Sequence, residues 1–316
     1  MPLRTALAAL LLCGVAAPAF AAESATRTTP QPAAACPEGA DWNMPAAPLR
    51  IYADTWYVGT CGLSSILITS PQGHVLIDGA TEKAAPLIEA NIRALGFKVE
   101  DVRIILNSHE HLDHAGGIAQ LRRDSGATVM ALPAAAGALE HGKADRGDPQ
   151  YLSIEAFPAI PHVKRVKDGE EVTLGPIRLT AHATPGHTPG ATTWTWDSCQ
   201  DGPKGEQCHH IVYADSLSAY TDDVYRYSDE TAHPGVLARF RQAIATMAAL
   251  PCDILLTPHP DASQMWKRLG PNATQPLVDE TACHRYGEAV TARLDKRLAD
   301  EAARTEKEKA PAEDRP

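Results

Sequence analysis

Asn107-Ser108-His109-Glu110-His111-Leu112-Asp113-His114-Ala115-Gly116-Gly117 follows directly on the apolar triplet Ile104-Ile105-Leu106. Three histidines and two acids fall within the six residues from His109 to His114, a density rarely met by chance. In extended backbone, residues i and i+2 point to the same side. His109 and His111 can therefore grip one metal ion, while Asp113 and His114, where the next helix starts, face a second. The same alternation turns Glu110 away from its neighbours and predicts it at the outer rim of the site. Gly116 and Gly117 let the backbone pass close beneath the turn, where a Cβ would crowd it.

Two more histidines stand at strand ends among prolines and glycines: Thr184-Pro185-Gly186-His187-Thr188-Pro189-Gly190 and Leu255-Leu256-Thr257-Pro258-His259-Pro260. If these loops converge on the first, neutral imidazoles of His109, His111 and His187 serve one ion, and Asp113, His114 and His259 the other. Three protein ligands each leave positions open for water and substrate, the mark of a catalytic site. Other histidines, such as His141, His162, His209, His210, His233 and His284, read as scattered surface residues.

Around these loops, short β-rich runs alternate with helical patterns, which predicts a mixed α/β fold. Strands are expected at 50–53, 56–59, 65–69 and 74–78, a helix over 84–95, a strand at 102–106, a helix over 115–123 and a strand at 128–131. Short strands follow between 163 and 184, then strands at 192–196 and 210–213, a helix over 235–250, a strand at 253–257 and a last helix over 279–303.

Lys plus Arg total 29 against 39 Asp plus Glu, and a net charge of −10 repels nucleic-acid backbones. The apolar run 6–15 is about half the roughly 20 residues that a membrane-spanning helix needs. It follows Arg4 and precedes Ala19-Phe20-Ala21, so residues 1–21 read as a secretory leader and the mature protein as periplasmic. Residues 22–47 read as a flexible arm, 48–303 as the folded domain, and the charged 304–316 as a disordered tail. With Cys13 lost in the leader, six of the 7 cysteines remain, which suits an oxidising compartment. Fifteen pairings are possible. Pairing sequence neighbours gives Cys36 with Cys61, Cys199 with Cys208, and Cys252 with Cys283. The absence of a Cys-x-x-Cys pair argues against a thiolate metal cluster. Low aromatic content, 5%, offers no large sticky interface, so a monomer is expected.

His-x-His-x-Asp-His followed by two distant single histidines resembles the metallo-β-lactamase superfamily. Trp56-Tyr57-Val58-Gly59, the 108–116 run, Ser216-Leu217-Ser218, Pro251-Cys252-Asp253 and Thr257-Pro258-His259-Pro260 are similar to class B, subclass 3 enzymes, and the similarity runs from about 49 to 286. Subclass 1 places a zinc-binding cysteine where this chain reads Tyr213-Ala214-Asp215-Ser216, and subclass 2 replaces the first histidine by Asn. The resemblance implies an αβ/βα sandwich of two mixed β-sheets with helices on the outer faces and a cleft for two Zn2+ per chain along one edge. It implies that His109, His111 and His187 hold the first zinc and Asp113, His114 and His259 the second. Asp78 resembles the acid that orients ligands from behind. Ser216 and Ser218 resemble residues near the second zinc and the substrate carboxylate. Gln150, with Tyr151, Phe157 and Tyr220, is a candidate for the substrate rim. The segment 218–226 lacks the Gly-Tyr pair of some relatives, so no tyrosine is assigned as a donor.

The implied activity is hydrolysis of the β-lactam amide in penicillins, cephalosporins and carbapenems, giving antibiotic resistance. Zinc lowers the pKa of a bound water from 15.7 to about 7, so hydroxide is available at neutral pH. Asp113 would orient it, while the ions stabilise the carbonyl oxygen and the released nitrogen. No Ser-x-x-Lys motif supports a serine mechanism. Two other readings remain. One is a thioesterase or lactonase similar to glyoxalase II, in which an aspartate from a late strand, here Asp215, bridges the metals. The other is a non-catalytic zinc-binding protein, which would need closed four-ligand sites.

Overall fold

Parallel strands that are apolar on both faces need a packed layer on each side. The strand before the first glycine loop, β4 (Gly73–Ile77), is buried at every residue, and β5 (Val102–Leu106) is buried at all but one. In this computed structural model, residues 36–203 and 205–309 are described. β4 and β5 form the middle of a seven-stranded sheet ordered β1-β2-β3-β4-β5-β6-β7. Its other strands are β1 (Leu49–Tyr52), β2 (Thr55–Tyr57), β3 (Ile66–Ser70), β6 (Thr128–Ala131) and β7 (Lys164–Arg165). Pairing is antiparallel from β1 to β4 and parallel from β4 to β7, with Ile77 opposite Leu106. A second sheet runs β12-β11-β10-β9-β8 and comprises β8 (Glu171–Leu174), β9 (Ile177–Ala183), β10 (Thr192–Gly202), β11 (Gly205–Tyr213) and β12 (Ile254–Leu256).

Alternation along the strands separates the layers. Ile66, Ile68, Val75, Ile77, Ile104 and Leu106 meet Leu179, Ala181, Trp194, Trp196, Ile211 and Tyr213 in one core between the sheets. The intervening Leu67, Leu76, Ile105 and Val129 point the other way, onto α1 (Ala85–Ala94) and α3 (Ile118–Ser125) through Ile88, Ile92, Ile118 and Leu121. On the far face, Val212 and Leu255 pack on Phe240, Ile244 and Met247 of α5 (Val236–Ala248) and on Tyr286, Val290 and Leu294 of α6 (Ala282–Lys309). Burying each such side chain contributes roughly 1.5–3 kcal/mol, so the three clusters hold helices and sheets in register. The result is the expected α/β sandwich of two mixed sheets with helices outside, and the described residues belong to one unit, Ala33–Pro316.

Several boundaries differ from the sequence reading. The helix expected over 115–123 is two: α2 (Leu112–Ala115) and α3, separated by Gly116 and Gly117. A Cβ on Gly117 would lie 2.2 Å from the Gly79 carbonyl oxygen, so the backbone must turn there. Helix α4 (Pro133–His141) was not anticipated, because an Ala-rich run carries little apolar periodicity; its signals are Pro133 in the first turn and the left-handed Gly142 after the last. Strands β10 and β11 reach further than expected, since the polar end of their hairpin carries no alternation. The tail does not begin at 304. Helix α6 runs to Lys309, and Arg226 reaches Thr305 at 2.8 Å and Glu308 at 2.6 Å. Part of the expected arm is held as well: Pro45 bridges to Thr60, and the sulfurs of Cys36 and Cys61 are paired. Cys199 pairs with Cys208 across the hairpin, and Cys252 with Cys283 beside α6. The expected leader, residues 22–35 and residues 310–316 lie outside the described residues. No helix among the described residues is long and apolar enough to cross a membrane.

Candidate metal centre

The ligand loops leave the sheets at one edge and are tied to each other there. Trp194 Nε1 donates to the Asn107 carbonyl at 3.0 Å, and Thr192 N donates to the Ser108 carbonyl at 2.7 Å, joining the second sheet to the loop after β5. Asp78, held at a positive φ of 62°, caps that loop from beneath. Its carboxylate accepts from Ser108 N and Ser108 Oγ, both at 2.7 Å, from Asn107 Nδ2 at 3.2 Å and from Tyr213 OH at 2.8 Å. The nearest imidazole nitrogen, His114 Nδ1, is 3.8 Å away, too far for a hydrogen bond. Asp78 therefore shapes the backbone that presents the histidines rather than gripping one of them.

His109, His111 and His187 bring one nitrogen each within 4.8 Å of the others, and their rings lie 4.7–5.0 Å apart. Each ring has spent its other nitrogen. His109 Nδ1 meets Asp215 Oδ1 at 2.8 Å, His111 Nε2 meets Asp148 Oδ2 at 2.8 Å, and His187 Nδ1 meets Ser218 Oγ at 2.9 Å. His109 Nε2 is buried with no hydrogen-bond partner. An orphaned imidazole nitrogen in a protein interior is costly unless something accepts its lone pair. Burial, reinforced by the neighbouring imidazoles, holds His109 and His187 well below the ordinary histidine pKa, so both are neutral, the form that binds metal.

The second cluster closes a triangle. Asp113 Oδ2, His114 Nε2 and His259 Nε2 are 3.1, 3.2 and 3.2 Å apart. Donor atoms about 2.0–2.1 Å from a tetrahedral ion stand roughly 3.3 Å from one another, so the triangle fits a metal. Burial works to raise the Asp113 pKa, yet His114 and His259 hold it well below the usual carboxylate range, keeping it ionised as a ligand must be.

Glu110 corrects the sequence reading. It does turn away from the ligands, but it faces another loop and not solvent: it is 1% exposed, and its carboxylate accepts from Thr188 Oγ1 at 2.8 Å and Gly190 N at 2.9 Å. It thereby clamps the His109 loop to the His187 loop, and burial pushes its pKa up to about 7. Asp148 escaped the sequence reading altogether. Asp215, the candidate bridge of the thioesterase reading, stands fully buried behind His109, with Oδ2 accepting from Leu217 N at 3.3 Å.

The centre opens into a cleft of about 830 Å³ whose walls include Gln150, Ser216, Ser218, Tyr220 and His259. Ser216 Oγ is buried and unpartnered, while Ser218 is engaged with His187. Of the other rim candidates, Phe157 is packed in the core beside Gly142 at the end of α4, and Tyr151 lies beneath Lys143 and Arg146; neither lines the cleft. Trp42, from the supposed arm, does, with its ring 6.1 Å from that of His259.

A model of the metallo-beta-lactamase superfamily matches residues 58–200. The crystal structure of MEM-A1, a subclass B3 metallo-beta-lactamase isolated from a soil metagenome library, is 47% identical with a TM-score of 0.79, covering 84% of this chain and 100% of that one. The chain belongs to the metallo-β-lactamase superfamily. MIM-1 from Novosphingobium pentaromativorans, a second metallo-β-lactamase, is 49% identical with a TM-score of 0.78 over 83% of this chain and 93% of that one. A more distant member, the hydroxyacylglutathione hydrolase of Brucella anthropi, is 31% identical over 130 residues, so the chain spans only 40% of that relative's length. As a metallo-β-lactamase superfamily member, the protein uses its clustered histidines and aspartate for a metal cofactor.

Proposed function

We propose that this protein is an exported, zinc-dependent β-lactamase that hydrolyses penicillins, cephalosporins and carbapenems and so confers antibiotic resistance. The observation that carries the reading is the pair of three-donor clusters opening into one cleft, in a chain 47% identical to a subclass B3 metallo-beta-lactamase over that enzyme's whole length. His109, His111 and His187 would hold one zinc, and Asp113, His114 and His259 a second. When bound, zinc acidifies water to a pKa of about 7 and draws negative charge from a carbonyl oxygen.

The chain's own groups do the rest. Asp148, Asp215 and Ser218 fix which nitrogen of His111, His109 and His187 faces the centre. Asp113, with Oδ2 directed at two imidazoles, leaves Oδ1 to accept a hydrogen bond from, and so orient, the attacking water. Ser216 Oγ, unpartnered beside the centre, is placed to donate to the substrate carboxylate. The leader and the three cysteine pairs support export, since disulfides persist in oxidising compartments.

The rival reading, a thioesterase or lactonase, draws on the match to hydroxyacylglutathione hydrolase. Asp215 argues against it, because that carboxylate is spent on His109 and Leu217 and does not reach between the clusters. Osmotic-shock fluid from expressing Gram-negative cells, assayed on a carbapenem and on a glutathione thioester, separates the readings. Rapid carbapenem loss with an inert thioester is the expected outcome. Thioester turnover alone would replace the substrate reading, and activity confined to the cytoplasm would overturn export.

A further inference from the structure

One wall of the cleft is a face of α6, where Arg293, Lys296 and Arg297 recur at the i, i+3, i+4 spacing that puts side chains on one side of a helix. Two of these cations are already matched. Lys296 pairs with Asp300 at 2.6 Å, and Arg297 with Glu301 at 2.8 Å. Arg293 has no ion-pair partner among the described residues. Its guanidinium stands over the Tyr286 ring, 5.8 Å from the centroid. A contact with the face of a ring uses none of the guanidinium N–H groups in hydrogen bonds, which leaves them for a ligand. Tyr286 in turn donates to the Ser216 carbonyl at 2.8 Å, which fixes the base of Arg293 to the segment carrying the unpartnered Ser216 hydroxyl. The acids on the same walls are occupied: Asp261 accepts from Gly39 N, Asp300 holds Lys296, and Asp113 faces His114 and His259.

Building on the β-lactamase reading, we propose that Arg293 of α6 is a specificity-determining residue that recognises the substrate's carboxylate, with Ser216 as the second donor. A guanidinium presents two parallel N–H groups that match a carboxylate, so it selects anionic substrates at binding and takes no part in breaking the amide bond. The effect therefore belongs in KM, with kcat largely spared.

The test compares wild type, Arg293→Gln, Arg293→Lys and the surface control Arg123→Gln on a cephalosporin bearing a free carboxylate and on its methyl ester. Arg293→Gln should raise KM for the free acid about tenfold, the factor of one modest charge-assisted hydrogen bond, with kcat within about twofold. Arg293→Lys should fall between wild type and Arg293→Gln, and Arg123→Gln should match wild type. For the ester, wild type and Arg293→Gln should share one KM. An unchanged KM for the free acid in Arg293→Gln, or an equal rise for acid and ester, would overturn the proposal while leaving the β-lactamase reading intact. A wild-type protein inert toward both compounds would overturn the two together.

Discussion

Each imidazole of the first cluster is a two-ended device: in His109, His111 and His187 one nitrogen is pinned by a protein oxygen, and the other is thereby aimed inward. The pinning groups set ring orientation and tautomer, and losing such a partner typically costs 10–100-fold in metal affinity. Asp148→Ala and Asp215→Ala should each weaken zinc binding by about that factor, read by competition with a chromophoric chelator. Wild-type affinity in either variant would show that His111 or His109 is oriented by something else. The ligands themselves were legible in the sequence because their meaning is local: spacing of two in an extended loop, or a histidine among prolines at a strand end. The roles of Asp148 and Asp215 were not, since they lie 37 and 106 residues from the histidines they hold, in a bend and in the loop after β11. Glu110 was half legible. Alternation gave its direction, but only the fold could show that a second loop waits there.

Helix α6 shows how an element far along the chain conditions the centre. Tyr286 near its start anchors the backbone of Asp215 and Ser216, Arg293 faces the cleft, and Glu301 near its end clasps the 227–228 turn. Glu301 accepts from Tyr227 N at 3.1 Å, Ser228 N at 3.0 Å, Ser228 Oγ at 2.7 Å and Arg297 Nε at 2.8 Å. Burial works to raise its pKa, but the hydrogen bonds from Arg297 and Ser228 outweigh that and hold it below the ordinary value of 4.5. A depressed carboxyl pKa adds stability that is present above the unfolded value and is lost as pH falls through the folded one. Glu301→Gln should therefore be less stable than wild type at pH 7, with the difference shrinking below pH 4.5 in urea titrations. A difference that persists unchanged into that acid range would remove Glu301 from this role. Periodicity revealed most of α6 and the sandwich strands. It stopped short of the last turns of α6, whose order comes from Arg226, and it missed α4, whose alanines carry no stripe.

At the scale of the whole molecule, two sheets pack face to face so that the three ligand loops, carrying His109 to His114, His187 and His259, end at one edge around a single cleft. Cores on both faces of each sheet make that edge rigid, while the loops are free to carry chemistry. The edge brings together two sets of metal donors that no single segment could supply. The most direct measurement is metal content of the purified protein taken with initial rates on a carbapenem, before chelation, after it, and after zinc is restored. Two zinc ions per chain, loss of turnover with the metal and recovery on its return are expected. Turnover that survives complete metal removal would contradict the central claim.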